Sequence, residues 1–159
     1  MISARWRTIW VAAVTAVALS TAGRLLTELS PWYYALKRPA LQPPDWVFGP
    51  AWTLIYVCGT TAAVLAWRAA AGRSEKSRIL WLFAVNGALN LTWSWLFFTL
   101  QRPDWALMQV GFLWLSIVAL IVGHWTISRR ASLLFVPYLL WVSFASYINY
   151  DVVRLNGPF

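Results

Sequence analysis

Apolar residues occur along this chain in five long blocks that are separated by polar segments. The blocks cover roughly residues 8–28, 46–67, 79–100, 105–127 and 132–155. An α-helix rises about 1.5 Å per residue, so each block is long enough to cross the ~30 Å hydrocarbon core of a bilayer. The pattern therefore predicts an all-α integral membrane protein, with residues 1–159 forming one domain and a single bundle of five transmembrane helices.

The connections between the blocks differ in length and composition. Those at 68–78, 101–104 and 128–131 are short and polar, and short connections make consecutive helices antiparallel neighbours. The connection after the first block is longer and rich in Pro and Trp. Because proline fixes φ and lacks a backbone donor, we expect this loop to be a stiff lid at the mouth of the bundle.

Composition agrees with a membrane protein and disfavours other classes. Of the 159 residues, 60% are hydrophobic and 11% are charged, whereas soluble domains carry about 25% charged residues. The net charge is +8, but the basic residues flank the apolar blocks instead of forming one stripe, so we expect no nucleic-acid partner. With one Cys, one His and two Met, the chain lacks ligands for a metal centre, and we expect no metal and no obligatory cofactor.

The distribution of Lys and Arg indicates how the bundle sits in the membrane, because positively charged loops stay cytoplasmic. With five spans, the amino terminus and the second and fourth connections share one side, which carries eight basic residues against four on the other. The eight are Arg5, Arg7, Arg68, Arg73, Lys76, Arg78, Arg129 and Arg130, and the four are Lys37, Arg38, Arg102 and Arg154. We therefore expect a multi-pass protein of a bacterial cytoplasmic membrane, with its amino terminus inside and its carboxyl terminus outside.

The first block has two interpretations. Basic residues followed by an apolar run with Ala16-Val17-Ala18 are typical of a secretory signal peptide. The run continues through Leu25 and Leu26, which is longer than the apolar region of a signal peptide, so a retained span is favoured.

Small residues recur at helical spacing on two of the blocks. One ladder is Ala12, Ala16 and Ser20, and the other is Ala119 and Gly123. Small side chains let helix backbones approach closely. Each ladder is therefore interpreted either as packing within the chain or as a homodimer surface.

The segment from Ser30 to Tyr56 concentrates stiff and aromatic residues. It holds five of the eight prolines and the aromatic residues Trp32, Tyr33, Tyr34, Trp46, Phe48, Trp52 and Tyr56. Trp and Tyr collect at membrane interfaces because their rings are amphipathic, which is the simpler interpretation of any one of them. Their density beside Lys37 and Arg38 favours a binding role for the loop.

Two helical stripes place aromatic and amide side chains at membrane depth. The stripe on the third block is Asn86, Asn90, Trp93 and Phe97, and the stripe on the fifth is Pro137, Trp141, Phe144 and Ile148. Aromatic walls with a few hydrogen-bonding groups are the usual composition of a small-molecule site. The alternative for the two asparagines is that they hydrogen-bond one helix to another.

These residues resemble the TspO/MBR family, which comprises tryptophan-rich sensory proteins and translocator proteins, also called peripheral-type benzodiazepine receptors. The resemblance rests on Trp32-Tyr33, Leu36, Pro39, Pro43-Pro44, Trp46, Pro50, Trp52 and Tyr56, on Asn86, Asn90, Trp93 and Phe97-Phe98, and on VPYLLW at 136–141 and INYDVVRLN at 148–156. It spans most of the chain in the right order. It implies five transmembrane helices with a long first loop, and often a homodimer.

The resemblance also implies a ligand class, namely flat hydrophobic molecules and above all porphyrins such as protoporphyrin IX and haem, bound between the helices beneath the first loop. Carried over residue by residue, the ligand-lining aromatics are Trp32, Tyr33, Trp46, Trp52 and Trp141, with amides at Asn90 and at Asn86, where relatives often have Gln. The stripes and the loop add Tyr56, Trp93 and Phe144 to the expected ligand-binding set. We expect Lys37 or Arg38 to meet the acidic propionates of such a ligand.

Three functions are compatible with these residues. The first is a tetrapyrrole-binding protein that senses, transports or regulates porphyrins. The second is a light-dependent porphyrin-degrading enzyme, for which the resemblance implicates Trp52 and Trp141. The third is a binder or translocator of sterols or other hydrophobic molecules, although Ile148 departs from the sterol pattern of animal relatives, which requires Leu or Val. His124 is the only imidazole for haem iron, but its place near the cytoplasmic end of its block favours a packing role.

Overall fold

The computed structural model describes residues 4–159, with side chains from Trp6 onward, so the side chain of Arg5 in the predicted charge count lies outside the described part. Within this range the α-helices are α1 (Ala4–Leu26), α2 (Pro31–Ala35), α3 (Phe48–Ala69), α4 (Arg73–Ser94), α5 (Pro103–Trp125), α6 (Arg129–Leu133) and α7 (Val136–Asn156). Five of them are long and apolar enough to span a membrane, and residues 4–159 contain no strand. The predicted all-α class with five spanning helices is confirmed.

The helix ends differ from the predicted blocks in two places. The third span begins at Arg73 rather than near residue 79, because its first turns are polar but still helical, with the Glu75 carboxylate accepting a hydrogen bond from the Ala71 backbone N–H (2.7 Å). The last block is divided into α6 and α7. Pro137 lies in the first turn of α7, where its missing N–H costs no helical hydrogen bond. An apolar block marks the part of a helix that lies in lipid and not where the helix ends.

The helices form one bundle in which α1 lies against both α3 and α4, and α5 lies between α4 and α7. The short connections between α4 and α5 and between α5 and α6 join close neighbours, as predicted. Helices α3 and α4 pack less closely than their short connection suggests, because α1 packs against both of them. A short connection limits the distance between helix ends and does not decide how the rest of the two helices pack.

Large apolar side chains cover the outside of the bundle. Trp10, Trp81, Met108 and Phe112 are each between 60% and 75% exposed. Such a surface would drive aggregation in water, whereas in a bilayer it faces lipid chains. No residue in the most apolar part of α1 is buried, which fits a retained span lying at the edge of the bundle.

One glycine gives room to a side chain of the neighbouring helix. A Cβ at Gly123 would lie 2.6 Å from Cδ1 of Leu82, so any larger residue there would push the end of this α4 side chain aside. At Gly87 a Cβ would lie 3.4 Å from Cδ2 of Leu19, which is an ordinary contact between α4 and α1. The ladder that contains Gly123 therefore serves intrachain packing at that position, and the homodimer stays a prediction.

Candidate functional site

The first loop is a structured cover over one end of the bundle. It contains α2 and a 3₁₀ turn at Asp45–Val47 that leads directly into α3. The Tyr33 hydroxyl donates to Asp45 Oδ1 (3.3 Å) and accepts from Gln42 Nε2 (3.0 Å), while Arg38 Nη2 lies 3.4 Å from Asp45 Oδ2. Burial, and then the nearby Asp45 carboxylate, raise the pKa of Tyr33 to about 12, so the phenol keeps its proton and stays a donor. These contacts hold the two halves of the loop together.

A second set of contacts ties the loop to the end of α7. The Lys37 backbone N–H donates to Asn156 Oδ1 (2.7 Å), and Asn156 Nδ2 donates to the Lys37 carbonyl oxygen (3.1 Å). The same amide nitrogen lies 2.9 Å from the Val152 carbonyl oxygen, which fixes the side chain on its own helix. One side chain thus pairs with the backbone of a residue 119 positions away, in the way that a neighbouring strand would.

A small apolar cavity of about 50 Å³ lies beneath this cover. Its lining comes from the loop, from the start of α3, from the end of the third span and from α7. The lining residues are Tyr33, Leu36, Arg38, Gln42, Phe48, Trp93, Phe97, Phe98, Trp141, Phe144, Ala145, Ile148, Asn149 and Val152. Aromatic rings form most of the wall, and Arg38 is the only cation in it.

The third span ends in a widened, π-helical turn at Trp95–Thr99 that shapes one wall of the cavity. The Leu100 backbone N–H donates to the Trp95 carbonyl oxygen (2.9 Å), five residues back instead of four. The rings of Phe97 and Phe98 lie 4.8 Å apart and both line the cavity, and Trp93 stacks on Phe97 at 5.2 Å. Turns of this kind are rare and are frequently found at functional sites.

Asn149 is a polar junction in the floor of the cavity and is only 1% exposed. Its Oδ1 accepts from the Trp93 indole Nε1 (3.2 Å), and its Nδ2 donates to the Pro103 carbonyl oxygen (2.9 Å). One side chain on α7 thus holds an aromatic wall residue of α4 and the first turn of α5.

A second aromatic and amide cluster surrounds Tyr138. Asn90 Nδ2 donates to the Tyr138 hydroxyl (3.2 Å), and the Trp52 ring lies 6.2 Å from the Tyr138 ring and 5.8 Å from the Tyr56 ring. Asn86 Nδ2 donates to Ser116 Oγ on α5 (2.8 Å). Both asparagines therefore link α4 to another helix in this structure, and neither lines the 50 Å³ cavity.

The predicted site residues thus fall into three groups. Those that line the cavity are Tyr33, Arg38, Trp93, Trp141 and Phe144, and those around or near Tyr138 are Trp52, Tyr56, Asn86 and Asn90. Of the remaining three, Trp32 packs edge-on against Phe97 at 6.2 Å, Lys37 is engaged through its backbone, and Trp46 is 73% exposed.

Several residues of the cavity and its cover are not among the predicted site residues. Gln42 and Asp45 act within the loop, where a sequence pattern carries no information on partners. Phe98 follows Phe97 directly, and strict α-helical spacing would place the two on different faces. Asn149 is one residue from the predicted stripe on the fifth block, which contains its neighbour Ile148.

His124 lies away from the cavity. It is fully buried, with its ring 5.7 Å from the Phe83 ring and 5.2 Å from the Phe135 ring, and its Nδ1 is 2.7 Å from the Leu120 carbonyl oxygen. These contacts are those of a packed core residue. Residues 4–159 contain no group of three or more His, Cys, Asp or Glu side chains that could hold a metal ion.

The sequence is similar to those of known proteins along most of its length. A sequence profile of the TspO/MBR family matches residues 10–155. The tryptophan-rich protein TspO of Chlorobaculum tepidum is 39% identical over 142 residues, which are 88% of this chain and 90% of that protein. The human translocator protein is 34% identical over 127 residues (79% and 75%), and the tryptophan-rich sensory protein of Cereibacter sphaeroides is 34% identical over 139 residues (87% and 85%). The family match includes all or most of each spanning helix.

Proposed function

Because the chain belongs to the TspO/MBR family, we propose that this membrane protein binds tetrapyrroles of the protoporphyrin IX or haem type and acts in their sensing, transport or regulation. The observation that carries the proposal is the aromatic cavity beneath the first loop, with its single cation. Two relatives are named a sensory protein and a translocator protein, and both names fit a protein that captures a small molecule.

The chemistry of the cavity suits a macrocycle with acidic edges. A porphyrin presents two wide π-faces, for which Trp93, Trp141 and Phe144 supply stacking or edge-on partners. Its propionates are carboxylates, which a guanidinium binds with two parallel hydrogen bonds, and Arg38 stands in the cavity wall.

Binding of such a ligand requires the cover to move. Pockets for ligands of drug size measure about 300–1,000 Å³, whereas this cavity measures about 50 Å³. The loop is held by a few polar contacts and by the packing of Trp32, Tyr33 and Leu36 on the end of the bundle. It contains no spanning helix, so it is the element that opens at the lowest cost. We therefore assign the loop the role of a lid, with the closed state as the one described here.

The proposed orientation in the membrane places the lid outside and the amino terminus in the cytoplasm. Including Arg24, which stands near the lid because α1 ends at Leu26, the lid end carries five basic residues and four carboxylates. The opposite end carries eight basic residues and one carboxylate. This difference in charge supports the placement of the opposite end against the cytoplasm.

Titration of the purified protein with protoporphyrin IX tests the proposal, with binding followed by the porphyrin absorbance in the dark. Trp141→Phe, which shrinks a ring in the cavity wall, is expected to weaken binding about two- to tenfold. Trp81→Phe is the matched control, because Trp81 is 69% exposed on the outer surface, and it should bind as the wild type does. Absence of saturable binding by the wild type, or equal affinities in all three proteins, would contradict the proposal.

The second candidate function is light-dependent porphyrin degradation, which the placement of Trp141 in the cavity wall favours. An excited porphyrin can take one electron from a tryptophan that lies against it, which leaves a tryptophan radical and a reduced porphyrin. Dioxygen, supplied from solution, is the oxidant that takes up this electron and attacks the ring, and neither step needs an acid–base residue. We expect illumination of the complex to bleach the porphyrin band if this function is real, and Trp141→Phe to slow the loss more than Trp52→Phe, because Trp52 lies beside Tyr138 and outside the cavity lining. A porphyrin spectrum that stays unchanged under light would contradict degradation and leave porphyrin binding as the proposed function.

The contact between Arg38 and the propionates gives a separate prediction. Arg38→Gln is expected to weaken protoporphyrin IX binding by about two- to fivefold, a modest effect because the side chain is 45% exposed and its charge is screened. The dimethyl ester of the same porphyrin, which lacks the negative charges, should bind equally well to wild type and variant. Lys37→Gln serves as the comparison. If Lys37→Gln, and not Arg38→Gln, weakens binding of the free acid while binding of the dimethyl ester is unchanged, the propionate contact belongs to Lys37.

A further inference from the structure

The two ends of the bundle differ in how their cations are paired. At the lid end, three arginines each pair with a carboxylate, namely Arg38 with Asp45, Arg102 with Asp104 and Arg154 with Asp151. At the opposite end, none of the basic side chains of α4 and α6 forms a salt bridge within the described range 4–159. The cations of α4 and α6 therefore have no carboxylate partner among the described residues.

Two of these cations, from different helices, contact adjacent residues at the end of α5. Arg78 Nη2 of α4 donates to Thr126 Oγ1 (3.2 Å), and the Arg129 guanidinium of α6 lies 5.4 Å from the centre of the Trp125 ring. Thr126 and Trp125 are adjacent at the end of α5. Both guanidinium groups are thus fixed at the same turn by neutral partners, which leave their charge in place.

The other charged groups nearby have different roles. Glu75, the only carboxylate at this end in the sequence, accepts the Ala71 N–H at the start of α4. The Lys76 ammonium lies 5.4 Å from the Trp67 ring on α3. Neither group neutralises the pair of arginines at the α5–α6 turn.

An apolar surface continues from this turn toward the centre of the bundle. Trp81 lies one turn from Arg78 on α4 and is 69% exposed, and Val122 lies one turn from Trp125 on α5 and is 65% exposed. Helices α4 and α5 pack side by side along this region. A molecule with an anionic head and apolar chains matches both parts of the surface.

We propose that Arg78 and Arg129 bind the phosphate of an anionic phospholipid, with its acyl chains along Trp81 and Val122. A guanidinium fork matches the oxygens of a phosphate better than an ammonium does. Trp125, at the end of a spanning helix, marks the depth of the membrane interface at which lipid phosphates lie. Among the described residues no carboxylate forms a salt bridge with either arginine, so both guanidinium groups keep their positive charge for an anionic lipid.

Lipid retention on the purified protein tests this site. Wild-type protein equilibrated with equal amounts of phosphatidylglycerol and phosphatidylcholine, then analysed by native mass spectrometry, should retain phosphatidylglycerol preferentially. Loss of both guanidinium contacts to the phosphate, at about 1 kcal/mol for each exposed charge-assisted contact, means that Arg78→Gln with Arg129→Gln should reduce the preference roughly 25-fold. The matched control is Arg73→Gln with Arg130→Gln, which removes the same charge at the same end and should keep the preference.

Three results would overturn the proposal. Equal losses in the two double variants would mean diffuse attraction to the whole basic end, and no loss in either would mean that these arginines do not bind lipid. The third result comes from a second measurement, which uses the wild type alone and so still tests the site when a double variant does not fold. Phosphatidylglycerol should raise the unfolding temperature of the wild type, and equal shifts with phosphatidylcholine or with inorganic phosphate would contradict a site for an anionic lipid.

Discussion

An Asn149→Leu variant is expected to unfold at a temperature roughly 2–12 °C below that of the wild-type protein. The substitution keeps the volume of the side chain but removes both of its hydrogen bonds. The Trp93 indole N–H is then left without its acceptor in the floor of the cavity, which costs about 1–3 kcal/mol in a buried site. The Trp93 ring also loses its orientation, so we expect weaker porphyrin binding in the same variant.

Asn86→Leu is the control for the loss of stability. Asn86 is also a buried amide of the bundle, but it donates to a serine hydroxyl that itself donates to the Leu113 carbonyl oxygen (2.7 Å). The Tyr138 hydroxyl, which Asn86 also contacts, keeps its hydrogen bond from Asn90 Nδ2 (3.2 Å). Both partners of Asn86 therefore retain a hydrogen bond, so the unfolding temperature should fall less than in Asn149→Leu. Thermal unfolding in one detergent measures both, and an equal or larger fall in Asn86→Leu would show that Asn149 is not the main polar junction of the bundle.

Asn156→Leu is expected to accelerate the entry of porphyrin about fivefold. The variant removes both hydrogen bonds that join the lid to α7, each of which contributes about 0.5–1.5 kcal/mol to the closed state. We take the low end of this range because both bonds are exposed. Stopped-flow mixing with protoporphyrin IX measures the association rate. The two hydrogen bonds between Asn156 and Lys37 are here called the clamp. If the clamp forms again over the bound ligand in the wild type, the release rate should also rise in the variant.

Leu155→Ala controls for fraying at the end of α7. Leu155 is next to the clamp and 36% exposed, and it takes no part in the two hydrogen bonds. Its substitution should leave the association rate unchanged. An unchanged rate in Asn156→Leu, with the protein folded, would mean that the lid opens elsewhere or that ligand enters between the helices.

The parts of the structure that follow from periodicity could be predicted from the sequence. The five spans follow from the apolar blocks, and the stripe of Asn86, Asn90 and Trp93 does face the interior, with both asparagines less than 10% exposed. Proline and the aromatic residues also predict a stiff first loop, and the structure contains α2 and a 3₁₀ turn in that segment. Each of these patterns is carried by many residues in succession, for example apolar side chains that prefer lipid. A single residue that departs from the pattern therefore does not hide it.

The parts that depend on one pair of distant residues could not be predicted. The clamp between Asn156 and Lys37 joins two segments that no local pattern relates, and an asparagine near a helix end has many other uses. Likewise, Trp46 belongs to the aromatic segment by sequence, but it lies in the 3₁₀ turn, is 73% exposed and does not line the cavity. Aromatic density identifies the loop as a whole and does not identify which rings face inward.

The widened turn at the end of the third span has a consequence for the length of this segment. A π-type turn holds one residue more than the α-helical turn it replaces, so with one residue fewer between Trp95 and Thr99 this segment can wind as an ordinary α-helix. The contact of Thr99 with the Leu26 carbonyl oxygen (3.4 Å) and the start of α5 at Pro103 would then keep their places, because the deletion removes only the extra residue of the turn. The change falls instead on Phe97 and Phe98, which are neighbours in sequence and both line the cavity. We therefore expect the deletion of one residue here to preserve the bundle and to alter the cavity wall.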